Sequence, residues 1–145
     1  MIGLLQRVSE ARVQVDGKSL GHIQRGILVF IGVEKGDTPS HAERLAKRLL
    51  TYRVFPDEKD KMNLSVQTIE GGILLVPQFT LSADTGKGTR ASFTSAAPPA
   101  EALLLFNQLY DKIKSQHTYV ASGEFGADMQ VALINDGPVT FWLQV

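Results

Sequence analysis

Cysteine is absent from this chain, which excludes a disulfide framework, thiolate metal sites and a cysteine nucleophile. Long apolar runs are missing as well, since no stretch approaches the roughly 20 consecutive residues that a membrane-spanning helix needs. The opening Met1-Ile2-Gly3-Leu4-Leu5-Gln6-Arg7 lacks the basic start and small-residue cleavage site of a secretory signal. A soluble cytoplasmic protein with an unprocessed amino terminus is the expectation. Net charge is also lacking: fifteen Lys and Arg balance fifteen Asp and Glu, so bulk electrostatics announces no nucleic-acid partner. Any RNA contact must come from a small patch. The candidate is the loop Asp84-Thr85-Gly86-Lys87-Gly88-Thr89-Arg90, which sets two cations among residues that let the backbone approach a phosphate.

Side-chain catalysts are equally scarce. The sequence has no Gly-x-Ser-x-Gly elbow, no His-Glu-x-x-His and no phosphate-binding Gly-x-x-x-x-Gly-Lys-Thr. His22, His41 and His117 stand apart without an evident partner and are read as surface or structural residues, so neither a metal nor a cofactor is expected. A catalyst built on this chain must accept a substrate that is already activated, or let the substrate supply the reacting group.

What is present reads as one domain spanning residues 1–145. Leu4 to Val15 alternates as a strand, Asp16-Gly17 is a strong hairpin turn, and Gly26 to Val33 is a continuous apolar run suited to a strand buried on both faces. Thr38-Pro39 opens a helix that places Ala42, Leu45, Ala46, Leu49 and Leu50 on one side. A short strand around Arg53 to Phe55 precedes a charged turn at residues 57–61, and Ile73 to Val76 is a second buried strand that ends at Pro77, which has no N–H to give a ladder. Pro98-Pro99 opens a second helix with Ala102, Leu105, Phe106, Leu109 and Ile113 on one face, leaving Leu103 and Leu104 for another element or subunit. The alternations Met129-Val131-Leu133 and Val139 to Val145 predict two strands joined as a hairpin at Asn135-Asp136-Gly137-Pro138. The expected class is α/β of the α+β kind: a mostly antiparallel or mixed, barrel-like sheet with two helices packed on it.

Gln78-Phe79-Thr80-Leu81 and Asn135-Asp136-Gly137-Pro138-Val139-Thr140 resemble the two signature motifs of the D-aminoacyl-tRNA deacylase family. Gln6-Arg7-Val8, Lys61 to Leu64 and the tail from Ala127 to Val145 extend the likeness nearly end to end. The resemblance implies a homodimer in which a cis Gly137-Pro138 pair of one subunit enters the active site of the other. Proline makes such a bond affordable, at about 0.5 to 1 kcal/mol against about 2.5 to 4 for other residues. The implied activity is hydrolysis of the ester of D-aminoacyl-tRNA, and of glycyl-tRNA, with rejection of L-aminoacyl-tRNA. A rigid backbone suits this better than an apolar pocket, because one methylene discriminates by only about 1 to 3 kcal/mol.

The resemblance also implies roles for single residues. Thr80 is the family's candidate nucleophile, yet a threonine hydroxyl needs an adjacent base, so a positioning role is preferred, with the terminal ribose 2′-OH of tRNA activating water. Gln78 lines the same pocket, backbone groups around Phe79 hold the α-amino group, and Gly137 and Pro138 exclude an L side chain. Arg7 braces the Gly-Pro tip, while Phe125 and Met129 lie near the terminal adenosine. One departure is Pro77, where the family usually has serine. Two further readings stand beside this one: a noncatalytic RNA-binding module on the same fold, and a related editing deacylase with altered chiral preference.

Overall fold

The computed structural model describes residues 1–145. Its centre is β1 (Ile2–Val15), long enough to serve two partners along one side. The first half of β1 pairs antiparallel with β3 (Gly26–Gly32), and the second half pairs antiparallel with β2 (Lys18–Ile23). Asp16 and Gly17 both have positive φ, 48° and 75°, the backbone that a two-residue turn between twisted antiparallel strands demands. β3 then pairs in parallel with β6 (Gly72–Pro77), and β6 in parallel with β7 (Val120–Ser122). β2 bends back over this edge, so that a Cβ at Gly21 would lie 3.0 Å from the Ala121 Cβ, and the sheet curls toward a barrel. A separate small ladder joins β4 (Phe55–Pro56) to β5 (Met62–Leu64).

Both helices form where the apolar spacing predicts them. α1 (Pro39–Thr51) and α2 (Pro99–Lys114) each begin with proline in the first turn and bury the five residues expected of them. Those faces cover one side of the sheet, against Leu5, Ile27, Val29, Ile31, Ile73 and Leu75. The other side of the same strands, with Val8, Val13, Leu28, Leu74 and Val76, fills the inside of the curl. β3 is therefore lined with apolar side chains on both faces, as its unbroken sequence requires.

The carboxyl-terminal expectation needs correction. Residues 130–144 are not a hairpin: they form a single strand, β8 (Gln130–Gln144), antiparallel to β1 over its whole length. Gln6 pairs with Thr140 and Val8 with Asn135, so the Asp136 to Val139 segment has only Arg7 opposite it and is extruded as a bulge. The two halves keep their alternation because both face the same neighbour.

Candidate active site

The Gln78 to Leu81 segment sits where β6 stops. Pro77 is the last residue of β6, opposite Ile31, and the Gln78 N–H still donates to the Ile31 carbonyl at 2.8 Å. The chain then winds into a 3-10 turn, Phe79–Ser82. Gly32 permits this, since a Cβ there would stand 2.9 Å from the Leu81 Cβ and 3.0 Å from the Ser82 Oγ. Ser82 fixes the other end by donating to the Val33 carbonyl at 3.2 Å. The first N–H groups of such a turn, those of Phe79 and Thr80, have no acceptor within it. Gln78 Nε2 donates to Thr80 Oγ1 at 2.6 Å, and no carboxylate or imidazole shares that hydroxyl.

The second motif is the bulge of β8. Gly137 has φ 155° and its peptide bond to Pro138 is cis. The neck is tied by side chains: Asn135 Oδ1 accepts from the Val139 N–H at 2.8 Å, while Asn135 Nδ2 and Gln6 Nε2 donate to Thr140 Oγ1 at 3.0 and 3.2 Å. Arg7 holds the outer limb. Its Nε donates to the Asp136 carbonyl at 2.8 Å and its Nη1 to the Val54 carbonyl at 2.7 Å. The guanidinium thus grips the residue before Gly137, not the carbonyls of Gly137 and Pro138 themselves. Asn135, Thr140 and Gln6 were not singled out as functional in the sequence, although all three lie within the stretches that carry the resemblance.

Phe125 and Met129 lie elsewhere in the packing. Phe125 is partly buried against the helix-covered core, and Met129 against the inner one, its Sδ filling the space a Cβ at Gly123 would need. The histidines require a correction, because two have partners. His41 Nδ1 accepts from the Thr38 N–H at 2.9 Å at the start of α1, and His117 Nε2 meets the Gly71 carbonyl at 2.6 Å. Both ties are structural.

Within one chain the two motifs stay apart. β8, β1, β3 and β6 lie side by side in that order, which at about 4.8 Å per strand separates the bulge from β6 by about 14 Å across the sheet. Arg7 is level with Ile27, and Pro77 with Ile31, so the Gln78 turn lies about 13 Å further along the strands. Such a path along the sheet exceeds the reach of one aminoacyl group.

A family profile described as D-Tyr-tRNA(Tyr) deacylase matches residues 4–144. The chain belongs to that family. Among its deacylase relatives, the D-aminoacyl-tRNA deacylase of Thioalkalivibrio sulfidiphilus is 60% identical over 145 residues, spanning 100% of this chain and 97% of its own. That of Dichelobacter nodosus is 57% identical and matches over 100% of both chains. A solved structure described as the c-Myc DNA Unwinding Element Binding Protein superposes with a TM-score of 0.95 at 36% identity, covering 100% of this chain and 99% of that one. A structure described as a probable eukaryotic D-amino acid tRNA deacylase gives 0.84 at 16% identity, over 99% and 98%, a likeness of fold alone. As a member of the deacylase family the chain is an enzyme, a hydrolase. No helix is long and apolar enough to cross a membrane.

Proposed function

We propose that this deacylase cleaves the ester between a D-amino acid and the terminal adenosine of tRNA in the cytoplasm, accepts glycyl-tRNA, and works as a homodimer whose sites are each completed by the other subunit. The observation that carries the dimer is the separation of the two motifs. If Gln78 to Leu81 and Gly137-Pro138 serve one substrate, their distance along the sheet favours contribution from different copies. β8 supports this, because it pairs only with β1 and leaves its outer edge free, with Ile134 56% and Trp142 52% exposed along it. A long unpaired edge carrying apolar side chains is a template for another chain.

In this reading water attacks the ester carbonyl, the tetrahedral oxyanion is met by the free N–H groups of Phe79 and Thr80, and collapse expels the ribose oxygen as a hydroxyl. The products are the D-amino acid and tRNA with its terminal diol restored. The ribose 2′-OH assists the attacking water, which suits a site whose Thr80 hydroxyl has an amide donor and no base as partner. Gln78 fixes the Thr80 side chain, and backbone groups around Phe79 hold the α-amino group. Gly137 and Pro138 of the other subunit exclude an L side chain by overlap. Glycine has no side chain to exclude and is hydrolysed too. Phe125 and Met129 flank the terminal adenosine.

Turnover of D-tyrosyl-, L-tyrosyl- and glycyl-tRNA tests the activity: cleavage of the first and third is expected, and equal rates on both tyrosyl enantiomers would overturn it. Mixing Thr80→Pro, which removes one of the two oxyanion N–H groups and is expected to be inactive, with a variant altered at Gly137 and Pro138, which is expected to lose chiral rejection, tests the shared site. Recovery of D-selectivity in the mixture is expected, since the one working site of each mixed dimer then has both motifs intact.

A further inference from the structure

The proposed reaction uses the backbone of Phe79 and leaves its ring without a task. That ring is 57% exposed, and Phe93 beside it is 46% exposed. The two rings lean on each other with centroids 5.1 Å apart and planes 50° apart. Their mounting is fixed. Ser92 exchanges two backbone hydrogen bonds with Asp84, at 2.8 and 2.9 Å, and Ser95 Oγ donates to the Ser82 carbonyl. The Lys35 N–H further ties the Ser95 carbonyl at 2.9 Å, and the Ala96 N–H the Phe93 carbonyl at 3.1 Å. An aromatic pair is thus held in water by a tightly bonded frame. The loop that this frame closes, residues 85–91, carries Lys87 and Arg90, both exposed. Asp84, the acid at its base, accepts the Gly86 N–H with its side chain at 2.8 Å.

We infer that Phe79 and Phe93 form a stacking platform for the unpaired nucleotide that precedes the aminoacylated terminal adenosine, with Lys87 and Arg90 against its phosphates. The inference rests on the proposed function. The rings adjoin Gln78 and Thr80, where the ester is placed, and the nucleotide chain is the part of the substrate covalently tethered there. Exposed apolar rings on a frame whose loop carries two exposed cations match the two chemistries of a single strand, bases and phosphates, and stacking requires no reading of base edges. It also explains how a protein of zero net charge engages RNA through one short loop.

The test compares two substrates, D-tyrosyl-tRNA and D-tyrosyl-adenosine, which lacks the preceding nucleotide. Phe93→Leu, which keeps apolar cover over Phe79, is expected to raise KM for the tRNA roughly 5- to 100-fold while KM for D-tyrosyl-adenosine moves by less than about twofold. Phe93→Trp should retain the wild-type KM for tRNA. Lys87→Ala with Arg90→Ala should flatten the salt dependence of that KM by up to about two phosphate contacts. Equal effects of Phe93→Leu on both substrates, no effect on either, or loss of the dimer in light scattering would overturn the inference. Anisotropy with uncharged tRNA gives a readout independent of turnover: weaker binding by Phe93→Leu supports the platform, and equal binding counts against it. Failure of the wild-type protein to cleave either substrate would sink the proposed function instead.

Discussion

Arg7 and Asp136 are joined by a 2.8 Å hydrogen bond from guanidinium Nε to backbone carbonyl, between residues 129 apart in sequence. The same guanidinium reaches the Val54 carbonyl at 2.7 Å. One planar group thereby fixes the extruded limb of β8 to the segment that follows α1. The nearby Asp136 carboxylate, 3.5 Å from Nε and half exposed, adds little beyond this, because exposed pairs contribute about 0 to 1 kcal/mol.

Replacing Arg7 with lysine keeps the charge and loses the two fixed donors. Arg7→Lys is expected to destabilise the fold by about 1 to 3 kcal/mol and to let the bulge move. If Gly137 and Pro138 form the chiral wall, the ratio of D- to L-tyrosyl-tRNA turnover falls about tenfold for each 1.4 kcal/mol of wall stiffness lost. Urea denaturation and the paired turnover assay measure the two effects, and an unaltered ratio in a destabilised variant would detach the brace from selectivity.

Gly137→Ala is a more local change. An added Cβ would meet the Val139 N and Cγ2 at 2.6 Å, at a φ of 155° that residues with side chains rarely adopt. The Val139 N–H is also the group that Asn135 Oδ1 accepts, so relieving the overlap breaks the neck of the bulge. A loss of about 1 to 3 kcal/mol is expected, visible in denaturation. As the bulge shifts, the ratio of D- to L-tyrosyl-tRNA turnover should fall.

Thr80→Ala separates two mechanisms. Gln78 Nε2 is the hydroxyl's partner at 2.6 Å, and an amide donor cannot remove its proton. With the hydroxyl in a positioning role, kcat should fall by less than about tenfold, whereas a substrate ending in 2′-deoxyadenosine should lose about 100-fold or more, the scale of general-base assistance. Single-turnover rates on the two substrates decide it. The reverse pattern would return Thr80 to the nucleophile's role.

Asp57 gives a pH signature outside the site. The Asn63 amide donates to its carboxylate at 2.7 Å, and the N–H groups of Lys61 and Lys59 donate at 3.0 and 2.8 Å. These donors hold its carboxyl below the usual aspartate range. A depressed folded-state value means that the contribution is fully present above the unfolded aspartate value of about 3.9. It is lost as pH falls below that, through the folded value. An NMR titration of Asp57 with a midpoint below about 3.9 is expected, and Asn63→Ala should move that midpoint upward.

Much of this molecule is written in local pattern. The prolines at 39 and 99, followed by apolar residues at helical spacing, place both helices and the faces they bury. Asp16-Gly17 places the first turn, and Pro77 the end of β6. The β5 and β7 strands were not legible, being three residues each and too short for alternation to register. His117 looked solitary because its partner is the Gly71 carbonyl, a backbone group that leaves no mark in sequence, whereas His41 meets Thr38 and Asp37, three and four residues before it, in the turn that opens α1.

The motifs at residues 78–81 and 135–140 were likewise legible as a family likeness, while their placement was not. Alternation in residues 129–133 and 139–145 is the same whether the two halves fold back on each other or run on against a common neighbour. Periodicity reports which way side chains point and is silent about which strand lies alongside. The sequence alone determined both helices, the longer strand segments, their buried faces and the kinship. Tertiary structure decided that β8 is one strand against the long β1, because only the β1 backbone, more than a hundred residues away in sequence, could supply the hydrogen bonds that hold both halves in line and push Gly137 and Pro138 out between them.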